Sequence, residues 1–125
     1  MRDVTSRPLS HALTEKLFSY GTLQLTPVQI GTFQRELDGT ADVLAGWEQN
    51  WIEITDADVL RKSGKKFHPV LRHTGEPHHF VPGIVYQISK AELRHADDYE
   101  SDTYERVSVT LKSGTKAWAY VEKRP

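Results

Sequence analysis

The stretch Leu17-Phe18-Ser19-Tyr20-Gly21-Thr22-Leu23-Gln24 has the residue types needed to hold a small anion. Leu17, Phe18, Tyr20 and Leu23 supply the bulk of a strand covered on both faces, and Gly21 lets the backbone approach a ligand closely. Thr26-Pro27-Val28-Gln29 follows at once, with a threonine suited to the N-cap, proline at the first helical position and glutamine three residues after the cap. The loop Tyr20 to Leu23 is therefore expected between a strand end and a helix N-terminus. Free N–H groups and the positive end of the helix dipole favour carboxylates or phosphates there.

Other chemistry-bearing residues give weaker patterns. Asp97, Asp98, Glu100 and Asp102 form an acidic run which, on residue types alone, reads as a solvated helix end. His68, His73, His78, His79 and His95 match no ligand motif, and the adjacent His78 and His79 would point to opposite sides of an extended chain, so no metal site is expected. The absence of cysteine excludes thiolate nucleophiles, disulfides and cysteine-ligated metals. Serines, Ser19 and Ser63 among them, lack the sequence of a nucleophile elbow. Arg61-Lys62-Ser63-Gly64-Lys65-Lys66 reads as a solvated basic turn, without the spacing of a phosphate loop or an accompanying basic-aromatic array. With a net charge of -1 there is no bulk attraction to nucleic acid or membranes, and neither partner is expected.

The elements that must position these groups follow from periodicity. The helix from Pro27 is expected to run to Glu36 or Leu37 with Val28, Ile30, Phe33 and Leu37 inward, before Asp38-Gly39 ends it. Val43 to Trp47 and Trp51 to Ile54 read as short strands joined by a bend at Gly46 and residues 48–50, and Asp56 to Leu60 as one helical turn. A strand near Phe67 to Arg72 and a polar loop from Thr74 to His79 lead to an apolar strand, Phe80 to Ile88, in which Pro82-Gly83 suggests an edge or a bulge. Ser89-Lys90-Ala91-Glu92 is a capping box, so a helix is expected to carry the chain towards Tyr99, with Glu100 emerging near its end. Tyr104 to Leu111 alternates with Val107, Val109 and Leu111 on one face, and Ser113-Gly114 turns it into Ala117 to Val121, a terminal hairpin. The fold class expected is α+β, a mixed and mostly antiparallel sheet with flanking short helices.

Tyr20-Gly21-Thr22-Leu23, Gly83-Ile84-Val85-Tyr86, Ala96-Asp97-Asp98-Tyr99-Glu100, Tyr104-Glu105-Arg106 and Ala117-Trp118-Ala119-Tyr120-Val121 together resemble the gamma-glutamylcyclotransferase-like (AIG2-like) family in order and spacing, over roughly residues 17 to 121. The resemblance implies a small β-barrel with flanking helices. It implies an intramolecular reaction in which the α-amine of a γ-glutamyl group attacks its own γ-amide carbonyl, giving 5-oxoproline and a free amine, with no cofactor and no metal. Well-oriented ring closures reach effective molarities of about 10⁵ M or more, so such an enzyme chiefly selects a rotamer and manages protons. The family's Leu-Asp-x-x-Glu-Gly motif aligns with Asp97 and Glu100, which makes Glu100 the expected general acid/base. Burial beside Tyr99 or Tyr20 would raise its pKa from about 4.3 towards roughly 6 to 7. Ala96 and Ser101 depart from the motif's leucine and glycine.

The substrate-binding set implied is Tyr20, Gly21, Thr22 and Leu23, with backbone N–H groups on a carboxylate or on the γ-carbonyl and Tyr20 as a hydrogen-bond donor, and with Tyr104 as a further wall. Arg106 either pairs with a carboxylate or faces solvent. The alternative is a non-catalytic member of the fold that binds a small carboxylate or amide as an accessory or interaction protein. With 125 residues one domain suffices, expected at 17–125 behind an N-terminal extension at 1–16. The N-terminus lacks the apolar core of a signal peptide and no run approaches membrane-spanning length, so a cytoplasmic location is expected.

Overall fold

A computed structural model describes residues 12–53, 57, 61, 67–100 and 103–123. Among the described residues the elements with defined bounds run in the order β1 (Glu15–Ser19), α1 (Thr26–Phe33), β2 (Gly39–Ala45), β3 (Trp47–Glu53), β4 (Phe67–His73), β5 (Phe80–Ile88), α2 (Lys90–Tyr99), β6 (Tyr104–Thr110) and β7 (Lys116–Glu122), with a 3₁₀ turn at Thr22–Gln24 before α1. The fold is α+β. Five strands form a sheet in the order β2-β5-β1-β7-β6, and β3 and β4 form a separate two-stranded ribbon. Among the described residues β1 and β7 pair in parallel, through Leu17 and Trp118, and the remaining pairs are antiparallel. The expected barrel is met by two packed sheets that do not close on one another.

Strand alternation divides the core between the two faces of the large sheet. On one face Leu17, Leu23, Phe33, Tyr86, Ile88, Leu93, Ala96 and Tyr120 pack beneath the helices; on the other Phe18, Leu44, Leu71, Val81, Val109 and Val121 pack together, with Leu71 coming from the ribbon. β1 is thus covered on both sides where Leu17 and Phe18 point to opposite faces.

Local departures from the sequence expectation have local causes. The N-cap of α1 is Leu25 rather than Thr26, and no side chain caps it. The 3₁₀ turn runs straight into the helix, and the Leu25 carbonyl already accepts the first helical bond, from Gln29 N–H at 2.9 Å. The helix stops at Phe33 because Gln34 takes a left-handed conformation with φ 62°. Ile30, expected inward, is half-exposed, and Gln29 is buried in its place. β2 and β3 are joined through Gly46 alone, at φ +86°, so the broader bend at residues 48–50 is replaced by strand.

Pro82 and Gly83 sit where β5 has run past β1 and pairs with β2 alone, so no ladder bond to β1 is lost at the proline. A Cβ on Gly83 would lie 2.5 Å from the Ser19 carbonyl oxygen and 2.6 Å from the Phe18 ring. β1 begins at Glu15, inside the stretch expected as an extension. The expected turns at residues 56–60 and 61–66 fall largely outside the described residues, as does Ser101. No helix among the described residues is long and apolar enough to cross a membrane.

Candidate active site

The loop from Tyr20 to Leu23 is held by its carbonyls. Gln24 Nε2 donates to the Ser19 carbonyl at 2.7 Å, Gln24 N–H to Gly21 O at 3.1 Å and Leu25 N–H to Thr22 O at 3.0 Å. The buried Gln29 donates from Nε2 to Leu23 O and accepts Leu37 N–H at Oε1, each at 2.9 Å. Gly21 N–H has only a long contact, 3.4 Å, with Ser19 Oγ. The N–H groups of Thr22 and Leu23 open the 3₁₀ turn and have no acceptor among the described residues. With its carbonyls engaged and its N–H groups free, the loop presents net positive character. A Cβ at Gly21 would stand 3.6 Å from the Pro69 ring, an ordinary contact, so the surrounding protein leaves space there. Leu23 itself is core, and only its backbone faces this chemistry.

Tyr20 and Tyr104 have their hydroxyl protons engaged within the fold. Tyr20 donates to the Tyr120 carbonyl at 2.6 Å and Tyr104 to the Pro69 carbonyl at 2.6 Å. Backbone Leu71 also acts on the Tyr20 hydroxyl, so this phenol bridges β7 and β4 as Tyr104 bridges β6 and β4. Both are therefore fasteners between the two sheets, and the proton expected for a ligand at Tyr20 is used inside the protein. Burial, followed by neighbouring ionisable groups, pushes both phenols well above their usual range, so they stay neutral. Thr22 Oγ1 and the half-exposed Tyr99 hydroxyl share a hydrogen bond of 2.7 Å at the outer rim.

α2 delivers Glu100. Its capping box is formed as expected, with Ser89 Oγ accepting from Glu92 N–H at 3.1 Å and Glu92 Oε1 accepting from Ser89 N–H at 2.9 Å. Arg35 braces the same glutamate at 2.7 Å. At the far end, Glu100 N–H still donates to the Ala96 carbonyl at 3.0 Å, but Glu100 is extended (φ -71°, ψ 144°) and leads the chain away from the helix. Ala96, where the family motif carries leucine, is fully buried against the sheet.

An edge of Glu100 reaches solvent, yet its carboxyl end is closely surrounded. Burial first, and the negative charge of Asp97 second, raise its pKa to about 7. The Glu100 charge in turn raises the phenols of Tyr20, Tyr99, Tyr104 and Tyr120, so all four lie within electrostatic reach of it. Its carboxyl has no hydrogen-bond partner among the described residues. The structure thus brings together Glu100, Tyr20 and Tyr104, with Thr22 joined to them through Tyr99.

Asp97 is a bound group and not part of a solvated acidic patch. Arg106 grips it with two bonds, Nε to Oδ1 at 2.8 Å and Nη2 to Oδ2 at 3.2 Å, and the Tyr120 hydroxyl donates to Oδ1 at 2.7 Å. Arg106 also lies over the Trp118 ring at 4.4 Å, and Trp118 Nε1 donates to Glu15 at 3.1 Å. Sequence reasoning had Tyr120 only as part of a strand. The signal was the hairpin itself, because a turn at Ser113-Gly114 sets Arg106 opposite Tyr120.

Among the described residues no group of three or more histidine and acidic side chains converges. His78 and His79 meet edge to face at 5.3 Å because the chain turns there instead of extending, and His79 Nδ1 bonds Thr74 Oγ1 at 2.9 Å. Two surface cavities also lie elsewhere. One, of about 320 Å³, runs along Glu15, Lys16, Lys116 and Trp118; the other, of about 130 Å³, lies between the ribbon and β6–β7. Neither includes Glu100 or the Tyr20–Leu23 loop.

Comparison with known proteins bears on the fold and the family. An Arabidopsis thaliana protein solved in solution superposes with a TM-score of 0.61 at 24% identity, over 86% of this chain and 61% of that one. An uncharacterized human protein gives a TM-score of 0.69 at 16% identity, over 88% and 67% of the two chains. A solved gamma-glutamyl cyclotransferase gives 0.63 at 17% identity, over 88% and 67%. This chain thus spans between three fifths and about two thirds of the length of these three neighbours, and at such identities the likeness is one of fold. No curated protein matches the sequence. Residues 17–125 match the family model described as gamma-glutamyl cyclotransferase, AIG2-like, and the chain belongs to that family.

Proposed function

We propose that the protein cyclises a small γ-glutamyl amine or γ-glutamyl peptide to 5-oxoproline and releases the amine, with Glu100 carrying the proton. The observation that carries this reading is the Glu100 carboxyl, closely surrounded, without a hydrogen-bond partner among the described residues and poised at a pKa of about 7. A peptide α-amino group has a pKa of about 7.7 to 8.0, and the γ-glutamyl α-amine, beside its own carboxylate, lies above that, so an ordinary glutamate near 4.3 is too weak a base by more than about 3.5 units, or roughly 5 kcal/mol. A Glu100 pKa of about 7 removes about 2.5 units of that mismatch.

In the reaction Glu100 takes a proton from the α-ammonium and the freed nitrogen attacks the γ-carbonyl carbon. A new C–N bond closes the five-membered ring, Glu100 returns its proton to the departing nitrogen as the old amide C–N bond breaks, and the surplus proton still on the ring nitrogen passes by way of Glu100 or water to the released amine, giving the neutral lactam and an ammonium product. The free N–H groups of Thr22 and Leu23 bind the α-carboxylate or the polarised γ-carbonyl oxygen. Tyr20 and Tyr104, neutral and with their protons engaged, present oxygen lone pairs that suit the ammonium end of the substrate. The absence of cysteine suits a reducing compartment, and we assign the activity to the cytoplasm.

The test is calorimetric and chemical together. Glu100→Gln is expected to bind γ-glutamyl amines while releasing no 5-oxoproline. Wild-type protein that binds them and releases none would leave a small-amide or carboxylate-binding module.

A further inference from the structure

Asp97 lies in the last turn of α2 and Glu100 is the C-cap residue three positions on, so the two carboxylates meet at one end of the helix, close enough for the charge of Asp97 to act on Glu100. Two carboxylates in such a place repel unless something absorbs the charge of one. Here the counter-charge is assigned unequally: Arg106 from β6 and Tyr120 from β7 both bind Asp97, and among the described residues neither hydrogen-bonds Glu100. The guanidinium is itself fixed from the other side by the Trp118 ring. Around Glu100 the remaining groups are the phenols of Tyr20 from the loop after β1, Tyr99 from α2, Tyr104 from β6 and Tyr120 from β7, all neutral. Among the described residues Asp97 is the charge that acts on Glu100, and Arg106 is paired with that Asp97.

We propose that Asp97 is a positioning residue that acts on Glu100 through its charge, and that Arg106 and Tyr120 govern how much of that charge Glu100 meets. The inference deepens the catalytic reading of Glu100 and rests on it for its meaning in turnover. Its electrostatic content stands without turnover.

The closing experiment is a ¹³C carboxyl NMR titration of the full-length chain, with the Glu100 resonance assigned by its loss in Glu100→Gln. Asp97→Asn, which keeps the shape and removes the charge, is expected to lower the Glu100 midpoint by about half to one pH unit. Arg106→Gln is expected to raise it by a similar amount, about half to one unit, because the charge of Asp97 is then less compensated. Tyr120→Phe moves it the same way by less, and Arg106→Lys restores most of the wild-type midpoint. Opposite shifts are the signature, since a merely structural role would loosen the helix end in each variant and send every midpoint down towards an exposed glutamate.

Shifts in one common direction, or midpoints unmoved in variants whose amide spectra remain folded, overturn the proposal. Opposite shifts in a protein that releases no 5-oxoproline would remove the catalytic reading and leave this electrostatic one standing. Turnover with an unresponsive midpoint would do the reverse.

Discussion

Tyr20 donates its hydroxyl proton to the backbone carbonyl of Tyr120 at 2.6 Å, across 100 residues of sequence. That bond joins the end of β1 to β7 directly behind the loop that carries the free N–H groups. A residue with the position of a substrate donor is thereby part of the frame that sets the shape of the site. Removing the hydroxyl in Tyr20→Phe leaves a part-buried carbonyl without this donor and is expected to cost about 1–2 kcal/mol. Urea denaturation measures it, and a loss below a few tenths would mean that the bond is replaced by water.

Glu100 carries a stability signature independent of catalysis. The unfolded chain releases this proton near 4.5 and the folded chain keeps it to about 7. Between those values the folded state binds more protons, so the residue makes stability fall as pH rises, and the full cost is felt above pH 7. Glu100→Gln is therefore expected to be more stable than wild type at pH 8 by roughly 2 kcal/mol, allowing for partial exposure, and equal to it below about pH 4.5. Paired denaturation curves at the two pH values check both limbs.

Gly83 allows β5 to pass the end of β1. A methyl group there would press on the Ser19 carbonyl oxygen and the Phe18 ring at the distances given above. Gly83→Ala is expected to destabilise the fold by about 1–3 kcal/mol. It should also weaken ligand binding, since Ser19 leads directly into the loop. A thermal melt with ligand titration separates the two effects.

Gln29 anchors the other end of that loop. Replacing it with leucine leaves the Leu23 carbonyl and the Leu37 N–H without their partner in a buried place, a cost of about 2–4 kcal/mol. Amide exchange should accelerate at Leu37, whose N–H is held by Gln29 Oε1, before it does elsewhere in the sheet.

How much of this was legible in the sequence depended on the distance over which each residue finds its partner. The capping box at Ser89 and Glu92, the strand Phe80–Ile88 and the hairpin Tyr104–Glu122 are satisfied by near neighbours, and sequence pattern located them closely. Thr26 had the composition of an N-cap, but the preceding 3₁₀ turn advanced the helix by one residue, which composition does not encode. Gln29 was read only as part of the helix start, because its two partners are backbone groups six and eight residues away. The roles of Tyr20 and Tyr104 were illegible for a similar reason, since their acceptors lie on strands 100 and 35 residues distant. Family resemblance drew attention to Glu100. The binding of Asp97 by Arg106 and Tyr120 emerged only from the sheet register.

The most direct measurement of the central claim is the pH dependence of 5-oxoproline release from a panel of γ-glutamyl amines, γ-glutamyl dipeptides and glutathione, by wild type and by Glu100→Gln. The account predicts release by wild type whose kcat rises through a single ionisation near pH 7, and none above background by Glu100→Gln. Equal release by the two proteins, or a wild-type profile flat between pH 5 and 9, would contradict the assignment of Glu100 as the group that carries the proton.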